Sequence, residues 1–213
     1  MKAKQKTRQK YARGQGDRLR SDLIDAAIRI LADSESSGQF SLRAVAKEAR
    51  VAAPSIYLHF SDLNELRLAV LERLFAEQVA IRNQADEEAA KAGGGAWERL
   101  LAGSLALVRF GLERPGHYKV MYEGRVILRL NDPRTAAFGR PMQDRSVELI
   151  SELVRKRDPK GLSEDPHRLA LLLWTGIHGI ISLQINKPTL DWPAATELAT
   201  QIARFIIRPE SEI

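Results

Sequence analysis

The chain contains no cysteine, which excludes disulfides and thiolate metal sites and suits a reducing cytoplasm. No apolar stretch follows the N-terminus, so no secretory signal is expected. The longest apolar run, Leu169 to Ile185, is broken by Thr175, Gly176, His178, Gly179, Ser182 and Gln184. It falls short of the roughly 18 uninterrupted apolar residues that cross a bilayer, and no membrane partner is expected. Catalytic signatures are also missing. Gly93 to Gly95 lack the Lys-Ser/Thr that completes a phosphate-cradling loop. The four histidines, His59, His117, His167 and His178, show no ligand spacing. No serine sits in a nucleophile elbow. The chain is therefore expected to be neither an enzyme nor a metal or cofactor protein.

What remains is ordinary globular material with one asymmetry. The 213 residues fit one large domain or two small ones, and 44% hydrophobic with 28% charged residues provides for a core. Residues 1–20 carry eight basic side chains against Asp17 alone, more positive charge than the whole chain's net +6. A basic arm on a near-neutral body points to a polyanion. An anionic membrane fits less well, because the arm lacks large apolar residues to insert. A solvated tail is the alternative.

Apolar residues recur at helical spacing and never alternate for long. Leu23, Ile24, Ala27, Ile28 and Leu31 face one way on a first helix. Ser41 is positioned to cap a second, with Leu42, Val45, Ala46 and Ala49. Pro54 suits the first turn of a short third. Ser61 or Asp62 is expected to cap a long fourth helix over 63–92, ended by the glycine triplet. A fifth helix runs from Ala96 to about Arg114, stopped by Pro115-Gly116. Further helices are expected from Asn131 or Asp132 to about Arg157, from Asp165-Pro166 to Pro188, and from Asp191 to about Arg208. The prediction is an all-α chain of about nine helices without repeats. It divides into an arm over 1–16, a three-helix domain over 17–65, and a helical bundle over 66–213.

The segment Ser41 to Phe60 reads as two short helices across a tight turn, the helix-turn-helix arrangement whose second helix enters the major groove. Short side chains at Ala52, Ala53, Pro54 and Ser55 permit close approach to the bases. The stretch Leu23 to Leu74 resembles the N-terminal domain of the TetR family, through the Ser41 cap, Val45-Ala46, Arg50-Val51, Tyr57-Leu58-His59-Phe60 and Leu66. The resemblance implies that Arg43, Ala53, Ser55, Tyr57 and His59 lie at the DNA surface, with Tyr57 and His59 on phosphates and Phe60 in the core. A core role for Tyr57 and a capping role for His59 are the alternatives. Two positions depart from the family pattern. Arg50 stands where glycine, tolerant of positive φ, is usual, and Leu63 stands where lysine is common. Residues 21–66 also carry more acids than bases, which shifts phosphate attraction toward the arm. Arg8, Lys10 and Arg13 are candidates for the adjacent minor groove.

The second half is similar to the family's C-terminal domain. Trp174 to Gly179 and Pro115 to Tyr122 resemble its Trp-His-Gly subgroup. The resemblance implies a homodimer built on the last two helices, with Leu169, Leu172, Leu173, Gly176, Ile180, Leu183, Leu198, Ile202 and Phe205 as candidate interface residues. An intramolecular core is the alternative for both stripes. Trp97, Leu101, Phe110, Tyr118, Met121, Tyr122, Phe138, Met142, Trp174 and His178 are candidates to line a pocket for a small apolar effector. The expected function is a cytoplasmic, sequence-specific regulator, a repressor released by its effector from pseudo-palindromic double-stranded DNA. The alternative is a DNA-binding regulator or architectural protein without an effector.

Overall fold

The structure, a computed structural model, describes residues 16–33, 40–123, 137–157 and 164–208. It is all-helical: α1 Gly16–Ala32, α2 Leu42–Glu48, α3 Ala53–Ile56, α4 Leu63–Lys91, α5 Ala96–Glu113, α6 Pro115–Tyr122, α7 Arg140–Arg157, α8 Pro166–Asn186 and α9 Ala195–Ile207. The arm candidates Arg8, Lys10 and Arg13 and the expected start at Asn131 or Asp132 lie outside the described residues. The chain divides into two compact units. The first holds residues 1–75 and 116–135, the second 76–115 and 136–213. The division in packing thus falls within α4, whereas the sequence placed a boundary at 65/66.

In the first unit, the apolar stripe of α1 is buried through Leu19, Leu23, Ile24, Ala27, Ile28 and Leu31. Burial of each such leucine or isoleucine contributes about 1.5–3 kcal/mol. Ser41 caps α2 as its spacing predicts, its hydroxyl accepting from Ala44 N at 3.2 Å. Asp62, not Ser61, caps α4, its carboxylate accepting from Asn64 N and Glu65 N at 2.8 and 2.9 Å. The Glu65 carboxylate in turn accepts from Ser61 N at 2.6 Å, closing a reciprocal cap. Arg73 on α4 reaches back to α1, donating to Asp25 at 3.2 Å and Ser21 at 3.1 Å.

Pro115-Gly116 stops α5 but also opens α6, a helix the sequence reading lacked. Proline is tolerated at a first helical position, where its missing N–H would have no intrahelical partner. A β-carbon on Gly116 would stand 2.6 Å from the Ala32 carbonyl oxygen. Glycine is therefore required for α6 to meet the end of α1. Behind it, Tyr118 is fully buried, and Tyr122 packs edge-on against Phe75 at 5.6 Å.

In the second unit, α5 packs on α7, α8 and α9, and α8 lies against α7 and α9. Buried Leu100, Leu107, Phe110, Ile150, Leu173, Ile177, Ile181, Ala199 and Ala203 form its core. Asp165 caps α8 by accepting from His167 N at 3.0 Å. Arg157 closes the C-terminus of α9, donating to the carbonyls of Ile207 and Arg208 and pairing with Glu164. Helix α9 begins at Ala195 rather than at Asp191. Pro193 holds the residue before it out of the helical region, and the Trp192 indole instead donates to Lys187 O at 2.9 Å.

The helix expected from Asp165-Pro166 to Pro188 forms as α8, but one expectation about it is corrected: despite its polar and glycine positions, its 21 residues are long and apolar enough by length and composition to cross a bilayer. A helix tolerates isolated serine, threonine and glycine when its other side chains pack, and Leu173, Ile177, Ile180 and Ile181 are buried inside the unit.

Candidate nucleic-acid interface

Helix α2 ends in a paired hydrogen-bond closure. Val51 N donates to Ala46 O at 2.9 Å and Arg50 N to Lys47 O at 3.1 Å, the six-to-one and five-to-two pattern of a Schellman cap. This closure needs a left-handed residue after the cap. Arg50 supplies it at φ 61°, in the conformation that glycine would adopt without strain. The departure noted in the sequence is thus absorbed by strain, and the turn geometry is retained.

The closure turns the chain into α3, with Pro54 in its first turn. Val45, Ala46, Val51, Ile56 and Phe60 are buried between the short helices and α1. The opposite face is open. Ala53, Pro54 and Arg43 are exposed, Ala52 and Ser55 half-buried. Tyr57 is 56% exposed, which rules out the core role for it, and Phe60 is buried as expected. His59 is half-buried, its ring beside Gly16 at the start of α1. Leu58 is 82% exposed on the same surface. Sequence reasoning passed over it because the motif is defined by the residues around it. The outward turn that carries Tyr57 and His59 carries Leu58 with them.

The acidic surplus of residues 21–66 is largely engaged. Glu48 accepts from Arg29 Nε at 2.9 Å and Asp25 pairs with Arg73. Asp62 and Glu65 are occupied in the α4 cap. Such exposed pairs add little stability, but each leaves one fewer uncompensated carboxylate on the unit's surface. The exposed cations Arg43, Lys47 and Arg50 lie on or beside α2.

The remaining candidates are distributed as follows. Tyr118, Met121 and Tyr122 belong to the first unit. Trp97, Leu101, Phe110, Phe138, Met142, Trp174 and His178 belong to the second. Phe110, Tyr118 and Met142 are buried, whereas Trp174 is 43% exposed. The Trp174 and His178 rings meet at a tilt of 55°, centroids 4.5 Å apart. Burial, reinforced by the Arg82 charge, pushes the His178 imidazolium down to about 4, so the ring is neutral. Burial, with Tyr122 and Glu123 adding to it, pushes the Tyr118 hydroxyl up.

The second unit contains a small cleft of about 10 Å³ between α4, α5 and α7, bordered by Arg82, Asp86, Arg99, Met142, Arg145 and Leu149. Met142 alone among the pocket candidates borders it. Asp86 accepts from Arg99 Nε at 2.6 Å and Arg145 Nε at 2.7 Å. Burial opposes ionisation of Asp86, but hydrogen bonds and charge from Arg145 and Arg99 outweigh it and hold the carboxyl below its ordinary range. Among the described residues no cluster of histidine and carboxylates could hold a metal ion.

Of the interface candidates, Leu173 and Ile180 are buried inside the unit, and Gly176 meets Ile202 of the same chain. Leu169, Leu198 and Ile202 are half-buried. Leu172, Leu183 and Phe205 are exposed, the last at 81%, and Leu171 and Trp174 join them.

Comparison with known proteins agrees with this geometry. Residues 23–70 match the model for bacterial regulatory proteins of the tetR family, and residues 100–206 match the tetracyclin repressor-like C-terminal domain. An uncharacterised HTH-type transcriptional regulator of Haemophilus influenzae is 43% identical over 58 residues, spanning 27% of this chain and only 28% of that protein. A solved protein of unknown function from Rhodococcus sp. RHA1 is 26% identical, covers 89% of this chain and 94% of its own, and superposes with a TM-score of 0.73. The regulator FadR from Bacillus subtilis, solved in complex with stearoyl-CoA, is 16% identical over 91% of this chain and 98% of its own, with a TM-score of 0.69. With both halves matched, and the segment Ser41 to Phe60 folded as a helix-turn-helix with one buried and one open side, the chain belongs to the TetR family of bacterial regulatory proteins.

Proposed function

We propose that this protein is a sequence-specific DNA-binding transcriptional repressor that leaves its operator when a small apolar molecule binds its second unit. The observation that carries this reading is the division of Ser41 to Phe60 into a buried side and an open side bearing Arg43, Ala53, Pro54, Tyr57 and Leu58. Arg43, Tyr57 and His59 contact phosphates or base edges, and the short side chains of α3 allow major-groove entry. Arg8, Lys10 and Arg13 add minor-groove contacts.

The functional form is a homodimer. Leu172, Leu183 and Phe205 project from α8 and α9 onto a second copy, placing two α3 helices on half-sites about 34–36 Å apart or further along one pseudo-palindrome. A docking role for α8 supports a cytoplasmic, non-membrane protein. The stearoyl-CoA bound to the Bacillus subtilis neighbour supports an effector with a long apolar part. Helix α4 contributes residues 63–75 to one unit and 76–91 to the other, so it is the element through which ligand binding shifts the DNA-binding population. The protein acts by binding and not by catalysis.

Selection of bound sites from random duplex DNA tests this reading. Enrichment of one inverted repeat is the expected result. Recovery of no preferred sequence, with binding that ignores salt, overturns it.

A further inference from the structure

We propose that Leu58 sets part of the operator specificity by packing on the C5-methyl group of a thymine in the major groove. This rests on the DNA-binding reading above and deepens it, because it names one base feature that the protein selects and the side chain that selects it.

Helix α3 and its flanks lack the side chains that pair with base edges. From Val51 to Leu58 there is no arginine, lysine, asparagine, glutamine, aspartate or glutamate, the residue types that read bases through bidentate or charged hydrogen bonds. Ser55 and Tyr57 supply the only side-chain hydroxyls of this segment. Its other side chains are apolar, and the apolar group that a base pair shows in the major groove is the thymine methyl.

The backbone gathers these apolar groups on the open side. Helical winding continues past Ile56, since Leu58 N donates to Ser55 O at 3.4 Å and His59 N to Ile56 O at 3.0 Å. Positions three and four apart therefore share a face, Pro54 with Tyr57 and Leu58, and Ala53 with Tyr57. All four are exposed, whereas Ile56 and Phe60 are fully buried on the other side. Leu58 stands furthest out, at 82%. A lone exposed leucine is ordinary on a soluble protein. This one extends a patch that already holds Tyr57, Pro54 and Ala53, and it is the longest aliphatic side chain there.

Charge indicates what covers the patch. Arg43, Lys47 and Arg50 are exposed on or beside α2, the helix in contact with α3. Glu48, the acid among them, is paired with Arg29. Cations beside an apolar patch suit a duplex, whose backbone is anionic and whose groove floor carries methyl groups. An apolar protein surface would desolvate the same cations without giving them partners.

The test uses the full-length protein and the duplex enriched from random DNA, resynthesised with deoxyuridine in place of each thymidine in turn. Deoxyuridine keeps the base pairing and removes only the methyl. At one symmetry-related pair of positions the exchange should weaken binding about fourfold per half-site, the worth of one buried methyl-sized group. Leu58→Ala, a change at a solvent-exposed position, should keep the parental melting temperature and bind the thymidine and deoxyuridine duplexes equally. For the parental protein, a C·G pair at that position should cost affinity, and its 5-methylcytosine form should recover part of the loss.

An enriched duplex that tolerates deoxyuridine at every position overturns the proposal and leaves the regulator reading in place. A deoxyuridine penalty that persists unchanged in Leu58→Ala also overturns it and gives the methyl to another side chain. Parental affinity of Leu58→Ala for the thymidine duplex removes the residue from DNA and assigns the patch to a protein surface. Recovery of no enriched duplex removes the regulator reading and this proposal with it.

Discussion

A β-carbon added to Gly176 would stand 2.8 Å from Cγ2 of Ile202, the methyl nearest the backbone of α9. That methyl sits on a stiff β-branched side chain and cannot swing aside. Gly176→Ala should gain about 1 kcal/mol of helix propensity and lose about 1–3 kcal/mol to overpacking. The net result is a protein less stable by about 1 kcal/mol in thermal denaturation. A cycle with Ile202→Ala should show a coupling of about 0.5–3 kcal/mol. Strictly additive losses would mean that the two residues do not meet.

Arg50 offers the opposite case. A non-glycine residue in the left-handed region carries about 1–2 kcal/mol of strain, and glycine there gives back about 0.4–1 kcal/mol in unfolded-chain entropy. Arg50→Gly should therefore stabilise the protein by about 0.5–1 kcal/mol. Arg50→Ala, which keeps the strain, should leave the melting temperature nearly unchanged and serves as the control.

At the DNA surface, charge and hydrogen bonding should separate. Arg43→Ala should lower operator affinity and reduce the slope of log K against log salt by about 1. Tyr57→Phe should weaken binding by about 0.5–1.5 kcal/mol, the net worth of one hydrogen bond, with the slope unchanged. Fluorescence anisotropy across a salt series distinguishes them. An Arg43 variant with the parental slope would remove that residue from the phosphates.

His178 makes stability depend on pH. Its imidazolium lies at about 4 in the folded chain, below the ordinary 6.5. The unfolded chain therefore binds more protons between these values, and stability rises with pH across that window. It is complete above about 6.5 and is lost as pH falls toward 4, with a swing of roughly 2–3 kcal/mol. Denaturant unfolding at pH 7 and 4.5 should show the loss, and His178→Gln should flatten it. An equal pH dependence in that variant would assign the effect elsewhere.

Leu172→Asp and Phe205→Glu each place a charge on the exposed face of α8 or α9. Sedimentation should show monomers in place of dimers, with operator affinity reduced about a hundredfold or more, because each half-site alone loses the linkage between the two heads. A dimer unaffected by both changes would locate the interface elsewhere.

Local chemistry made much of this legible beforehand. The Ser41 and Asp62 caps, the glycine triplet after α4 and the Pro54 start of α3 are short-range signals, and each stands where the spacing put it. Arg50 was identifiable as a strained turn because a missing glycine has one physical meaning. Apart from the start of α9, which the local Pro193 sets, the failures come from contact between distant segments. Pro115-Gly116 reads only as a stop, because nothing near Pro115 in the chain reveals that Gly116 meets Ala32. The apolar stripe of α8 looked uniform, yet Leu173 and Ile180 turn inward while Leu172 and Leu183 turn out. Asp86, Arg99 and Arg145 share no periodicity, and only folding joins them into a cleft.

The meeting of Gly116 with Ala32 also limits how this regulator could be rebuilt. The N-terminal half is not a detachable cassette, since its packing is completed by a segment from the far side of α5. A fragment ending at residue 75 would leave Phe75 without its Tyr122 neighbour and the end of α1 uncovered. A chimera grafting these 75 residues onto a foreign sensor would inherit the reading head without its floor.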